Sequence, residues 1–206
     1  MAIEIRETFQ VQAPIDRVWR FVLDPHNVAA CMPGASLAQV VDEKTFIGNI
    51  KVKVGAVMAA YKGRVELTEI DEKNYTVKMK AEGTESGGGT ARGSMLSRLV
   101  ALPDGRTEIV AEASVDLTGR IMQVGRGMIQ GVSKQLFQQF VVRARQQLEA
   151  EAAAAAAVEA GEPAPPPLVM APREEAIRVA PLVFKTIWQA IVAFFRRLFG
   201  RAEKNS

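Results

Sequence analysis

The feature that most constrains this chain is a change of period. Between residues 46 and 116 apolar and polar residues alternate with a period of two, and from about Met122 the apolar residues recur at helical spacing. Phe46, Gly48, Ile50, Val52 and Val54 interleave with Ile47, Asn49, Lys51 and Lys53. Tyr61 to Leu67, Tyr75 to Ala81, Ala91 to Ser97 and Ile109 to Val115 repeat the pattern. Such runs describe strands with one buried and one wet face, as in antiparallel meanders. Turn residues separate them at Asp71-Glu72-Lys73-Asn74, Gly87-Gly88-Gly89 and Pro103-Asp104-Gly105. Val124, Met128, Val132, Leu136 and Phe140 then mark one face of a helix running to about Val158.

A first strand is expected over residues 3–12, where Ile3, Ile5, Phe9 and Val11 alternate. Pro14 suits the first turn of a short helix with Val18, Trp19, Phe21 and Val22 on its apolar face. Asp24-Pro25 ends it, because a residue before proline avoids helical geometry. A second short helix is expected around Asn27–Met32, stopping at Pro33-Gly34. The order describes an α+β domain, residues 1–150, in which a curved sheet wraps one long helix.

The strand positions expected to face that helix are unusually small: Gly48, Gly63, Ala81, Ala91, Gly93, Ala111 and Ala113. Either the helix presses tightly onto the sheet, with methionines filling gaps, or a hollow lies between them. In the second case the expected lining is Phe46, Ile50, Tyr61, Val65, Met79, Met95, Ala111, Ala113, Met128, Val132 and Leu136, an apolar cavity of the kind that takes lipophilic ligands.

Groups for catalysis are sparse. His26, the one histidine, is expected in a loop, and with Cys31 alone nearby it makes neither a zinc site nor a triad. Cys31 reads as a small buried residue and also leaves no internal disulfide to form. Glu108, Glu112 and Asp116 alternate onto the wet face, and no His, Asp or Glu cluster is expected on the inward one. Gly87-Gly88-Gly89 precedes a strand, and Gly125-Arg126-Gly127 lacks the third glycine of a dinucleotide fingerprint. The expectation is a protein that is not an enzyme and has no metal or cofactor of its own.

Residues 151–176 form an alanine- and proline-rich linker. Residues 177–201 read as a basic amphipathic helix, and 202–206 as a disordered end. From Arg173 onward there are seven basic and three acidic residues against +3 for the whole chain, so the domain itself is slightly acidic and offers nothing to nucleic acid. Phe184, Ile187, Ile191, Phe194 and Leu198 share an apolar side, Trp188 and Phe195 flank it, and Lys185, Arg196 and Arg197 supply charge. The longest uncharged run, Thr186 to Phe195, is half of the ~20 residues a bilayer crossing needs. The helix is therefore expected to lie on a membrane surface. Docking in a protein groove would need the same pattern, and the proline-rich linker favours the tether. The N-terminus has no basic start followed by an apolar run, so the folded part is expected in the cytoplasm.

The string Phe9-x-Val11-x-Ala13-Pro14-x-Asp16-x-Val18-Trp19, then Asp24-Pro25, Val28-Ala29-x-Cys31-Met32-Pro33-Gly34-Ala35, Lys51-Val52-Lys53-Val54-Gly55 and Lys62-Gly63, resembles the CoxG family of carbon monoxide dehydrogenase accessory proteins, within the START-like helix-grip (SRPBCC) superfamily. It departs at Ala56, where proline is expected after Gly55. The resemblance covers residues 1–148 and implies a six- or seven-stranded sheet gripping the long helix over an apolar cavity. It implies an accessory protein, peripheral on the cytoplasmic face of the inner membrane, that recruits a molybdenum-containing carbon monoxide dehydrogenase, or a related hydroxylase, to the membrane. An isoprenoid quinone, menaquinone or ubiquinone, is the expected cargo. A pure adaptor with a solid domain, and an enzyme like the cyclases of the superfamily, are the competing readings.

Overall fold

The computed structural model describes residues 2–159. Strand β1 (Ala2–Val11) leads into helices α1 (Ile15–Leu23) and α2 (Pro25–Cys31). Strands β2 (Ala35–Val40), β3 (Thr45–Val54), β4 (Val57–Asp71), β5 (Thr76–Glu85), β6 (Thr90–Ala101) and β7 (Thr107–Leu117) follow, then a 3-10 turn at Arg120–Val124 and helix α3 (Arg126–Glu159). The strands make one antiparallel sheet in the order β1-β7-β6-β5-β4-β3-β2. The expected α+β architecture, a curved sheet with a long helix across it, is the one observed.

Local chemistry explains the corners. Asp24 closes α1 and opens α2, its carboxylate accepting from the His26 amide at 2.8 Å and the Asn27 side chain at 3.0 Å. Asp71 accepts from the Lys73 and Asn74 amides at 3.1 Å, which shapes the β4–β5 turn. Gly55, at φ 60°, makes the tight β3–β4 turn with Ala56, so proline is not needed there.

Four details differ from the sequence reading. β2 was not anticipated: it is short, at the sheet edge, and its register shifts between Leu37 and Gln39, which breaks the alternation. The long helix starts at Arg126 and not near Met122, because Gly125 at φ 83° interrupts it and leaves Met122 and Val124 in the 3-10 turn. His26 lies in the first turn of α2 and not in a loop. Pro14 caps α1 from outside, with extended backbone, where the first turn was expected.

The core is in two parts. At one end α1, α2 and the later turns of α3 bury Val11, Val18, Trp19, Phe21, Leu67, Val77, Leu99, Ile109 and Leu148. Tyr75, in left-handed backbone at φ 47°, meets the Trp19 ring edge-on at 5.6 Å and donates to Asp16 at 2.6 Å. Arg145 donates to the Gln10 carbonyl at 2.8 and 3.1 Å, and Gln147 to Asn27 at 2.8 Å, fixing α3 at this end. At the other end Val54, Ala59, Tyr61, Ile121 and Val132 close together.

Cys31 is fully buried, with the Gln147 side-chain oxygen 3.4 Å from its sulfur. Burial pushes its thiol up to about 11. The folded state therefore holds the proton more tightly than the unfolded one, and this contribution to stability is lost as pH rises from about 9 through 11. At pH 8 Cys31 is expected to resist a thiol-reactive disulfide reagent at a rate set by unfolding. Labelling as fast as in denaturant would contradict the burial.

Candidate functional site

Strand register decides which residues share the face under α3. Directly opposed residues of an antiparallel pair lie on the same face. Ile50 opposes Tyr61 and Phe46 opposes Val65. Val65 opposes Ala81, Leu67 opposes Met79, Met79 opposes Met95, and Met95 opposes Ala113. Ala111 lies on the same face through its pairing with Ser97 and Glu7. All eight strand residues expected in the lining, and the small positions Gly48, Gly63, Ala81, Ala91 and Gly93, therefore share one surface. Gly83, opposite Gly63, belongs with them and went unnoticed in the sequence.

That surface is not evenly covered. Tyr61 and Val132 are buried in one half of the core, with Ile50 and Leu136 packed against them. Phe46 and Met79 pack on the other half. Between these, Val65, Ala81, Gly83, Gly93, Met95 and Ala113 are only half-buried. Measured along β5, the row of Val77 and the row of Glu85 stand eight residues apart, roughly 26 Å of strand. Met128 differs from the expectation: it is 49% exposed and lies over Gly55, at the rim, while Ile129 turns inward. A strict four-residue step precesses by about 40° each time, so an apolar stripe centred on Leu136 has rotated off the sheet by Met128.

The glycines show where α3 does not touch the sheet. A methyl group on Gly48 would have one heavy atom within 4 Å, the Ser36 carbonyl oxygen at 3.2 Å. On Gly93 it would meet the Ser114 carbonyl oxygen at 3.3 Å and a Val115 methyl at 3.6 Å. These are all sheet atoms. Among the described residues, α3 does not reach either position. Gly63 has a different cause: a methyl there would stand 2.8 Å from the Glu82 carbonyl oxygen. A groove of about 290 Å³ is edged by the outward-facing Lys78, Lys80, Ser94, Leu96 and Glu112, and Met79, Met95 and Ala113 also contribute to its lining.

Two isolated carboxylates, at opposite ends, do stand on the inward face. Glu7 lies opposite Ala111, and Glu85 lies opposite Tyr61 at the other end. The Glu85 side chain is 5% exposed and accepts from Arg120 of the 3-10 turn at 3.1 Å. Gly87 is glycine for this reason: a methyl there would meet the Arg120 guanidinium at 2.6 Å and Glu85 at 2.8 Å. Burial first, and then the Glu85 charge, raise the Tyr61 hydroxyl above the ordinary phenol range. The signal for Glu85 was in its parity, since it continues Val77, Met79, Ala81 and Gly83 in steps of two. No group of three or more potential metal ligands occurs among the described residues.

The tail residues Phe184, Lys185, Ile187, Trp188, Ile191, Phe194, Phe195, Arg196, Arg197 and Leu198 lie outside the described residues. Among those described, no helix is long and apolar enough to cross a membrane.

A seven-stranded antiparallel sheet holding a long C-terminal helix over a partly open, mostly apolar face defines a START-like helix-grip protein. The solved structures agree on the fold. A conserved protein from Geobacillus kaustophilus superposes with a TM-score of 0.65 at 20% identity, over 71% of this chain and 95% of that one. The ZhuI aromatase/cyclase from Streptomyces sp. R1128 gives 0.56 at 18% identity, over 75% and 98%. A START superfamily protein from Mycobacterium smegmatis gives 0.52 at 11%, over 71% and 97%. A search of curated proteins finds no match. Residues 8–149 match the family model for CoxG, a carbon monoxide dehydrogenase subunit. The chain belongs to that family, whose name ties it to carbon monoxide dehydrogenase in an accessory role.

Proposed function

We propose that this protein carries a respiratory quinone, menaquinone or ubiquinone, in the hollow beneath α3 and brings it from the membrane to a molybdenum-containing carbon monoxide dehydrogenase or related hydroxylase. The observation that carries this reading is the gap over Gly48 and Gly93, where no atom of α3 would stand within 4 Å of an added methyl. Apolar surface left uncovered inside a domain is costly at roughly 25 cal/mol per Å², and a lipophilic ligand offsets that cost. The sequence of residues 177–201 supplies the membrane half of the proposal: a basic, aromatic-flanked amphipathic segment on a proline-rich tether.

Native mass spectrometry and organic extraction of the full chain purified from membranes test the cargo. An isoprenoid quinone in the extract supports it. Protein that is ligand-free and takes up no added quinone is a pure adaptor. Deleting residues 173–206 is expected to move the protein from the membrane pellet to the supernatant, because each Lys or Arg near an anionic surface contributes about 1 kcal/mol in addition to apolar burial. A truncated protein that still sedimented with vesicles would remove the anchor from the tail.

A further inference from the structure

Resting on the cargo reading above, we propose that the Tyr61 end of the hollow is a headgroup site for a flat, uncharged ring bearing a hydrogen-bond acceptor, with the Tyr61 hydroxyl as donor and the glycine row beside it as floor. Tyr61 is only 9% exposed and stands on the inward face between Ile50 and Glu85. No hydrogen bond to its hydroxyl is formed among the described residues, although every sealed side-chain polar atom there has a partner. The hydroxyl is therefore not sealed, although the residue as a whole is buried. A phenol so placed normally finds a partner.

One step along the strands, Gly48, Gly63 and Gly83 stand side by side across β3, β4 and β5. Three adjacent strands without side chains offer about 10 Å of bare peptide surface. With no Cβ on three neighbouring strands, a planar ring can come closer to the backbone here than elsewhere on this face. Burial and the Glu85 carboxylate keep the phenol protonated, so it serves as a donor. The buried Glu85 carboxylate, paired with Arg120, already acts on the Tyr61 hydroxyl, so a second negative charge is disfavoured beside it and a neutral carbonyl is favoured. Ile121, Val132 and Leu136 close over the same end and supply the apolar side of the ring site.

The test uses the full chain and two probes of similar shape: a benzoquinone with a ten-carbon chain, and decylbenzene, which has no oxygen. Tyr61→Phe keeps the ring that packs the core and removes only the donor. Roughly tenfold weaker quinone binding with unchanged decylbenzene binding supports the site, since a buried carbonyl left without a donor loses at least that factor. Equal quinone affinity in the two proteins overturns it. The infrared carbonyl band of bound quinone gives a second readout, independent of the variant's stability. A band lowered in the wild type and restored in Tyr61→Phe supports the hydrogen bond, and an unshifted band in the wild type overturns it. If the wild type bound neither probe, the cargo reading itself would fall, which is a different outcome from binding that ignores Tyr61.

Discussion

Gly93→Leu is expected to abolish quinone uptake while leaving the fold and its stability within about 1 kcal/mol of the wild type. Gly93 sits in the uncovered band of the inward face, between Ala81 and Val115 on the neighbouring strands. Its backbone is not in the left-handed region, so a side chain is conformationally allowed. The nearest atoms to an added methyl belong to β7 and require a shift of a few tenths of an ångström at most. Leucine in place of glycine also removes backbone freedom from the unfolded chain, worth roughly 0.5–1 kcal/mol. Filling the hollow therefore costs the fold little and costs the ligand its space. If α3 instead lay tightly on the sheet, the same change would overpack the core and destabilise it by about 1–3 kcal/mol. Gly55→Leu is the contrasting control. There φ is 60° and the Met128 sulfur stands 3.0 Å from the added methyl, so destabilisation is expected. Thermal melts and quinone titration of the two variants distinguish the cases.

The inward face is legible in the sequence because a period of two assigns a whole strand once one residue is placed. That logic set Phe46, Tyr61, Met79 and Met95 on one surface, and the register agrees. It could not tell a hollow from a tight helix contact, because small residues suit both; the answer depends on how far α3 stands off. Helical spacing was less reliable. Gly125 breaks the helical spacing that runs on from Met122 and Val124, and Met128 lies at the rim. The first difference is a backbone break at a left-handed glycine, and the second comes from extending a four-residue step beyond where it stays in phase. Glu85 was missed for a different reason. An acidic residue at a strand end reads as solvated, and only the fold brings Arg120 across to neutralise it. β2 had too short and too irregular a pattern to declare itself.

Trp19→Ala is expected to lower stability by about 3–5 kcal/mol, with a fall in melting temperature on the order of 10 °C. Trp19 is buried between α1 and the sheet and meets Tyr75 edge-on. Its removal takes away the largest side chain of the core half that holds α1, α2 and the end of α3. The neighbours cannot collapse into the space easily, because Tyr75 is fixed by its hydrogen bond to Asp16 and by a left-handed backbone. The loss should act on the whole domain. α3 contributes Ala144 and Leu148 to this half of the core and Val132 to the other, and the strands also run through both. A hollow between two cores is tolerable only if those elements couple them. A circular-dichroism melt of the variant should therefore keep one cooperative transition at lower temperature. Two separate transitions would mean that the cores fold independently and that the hollow is a boundary between units instead of a chamber within one. A bound quinone spanning the gap should then raise the single transition by contacting both ends, more in the wild type than in Gly93→Leu, where no ligand can enter.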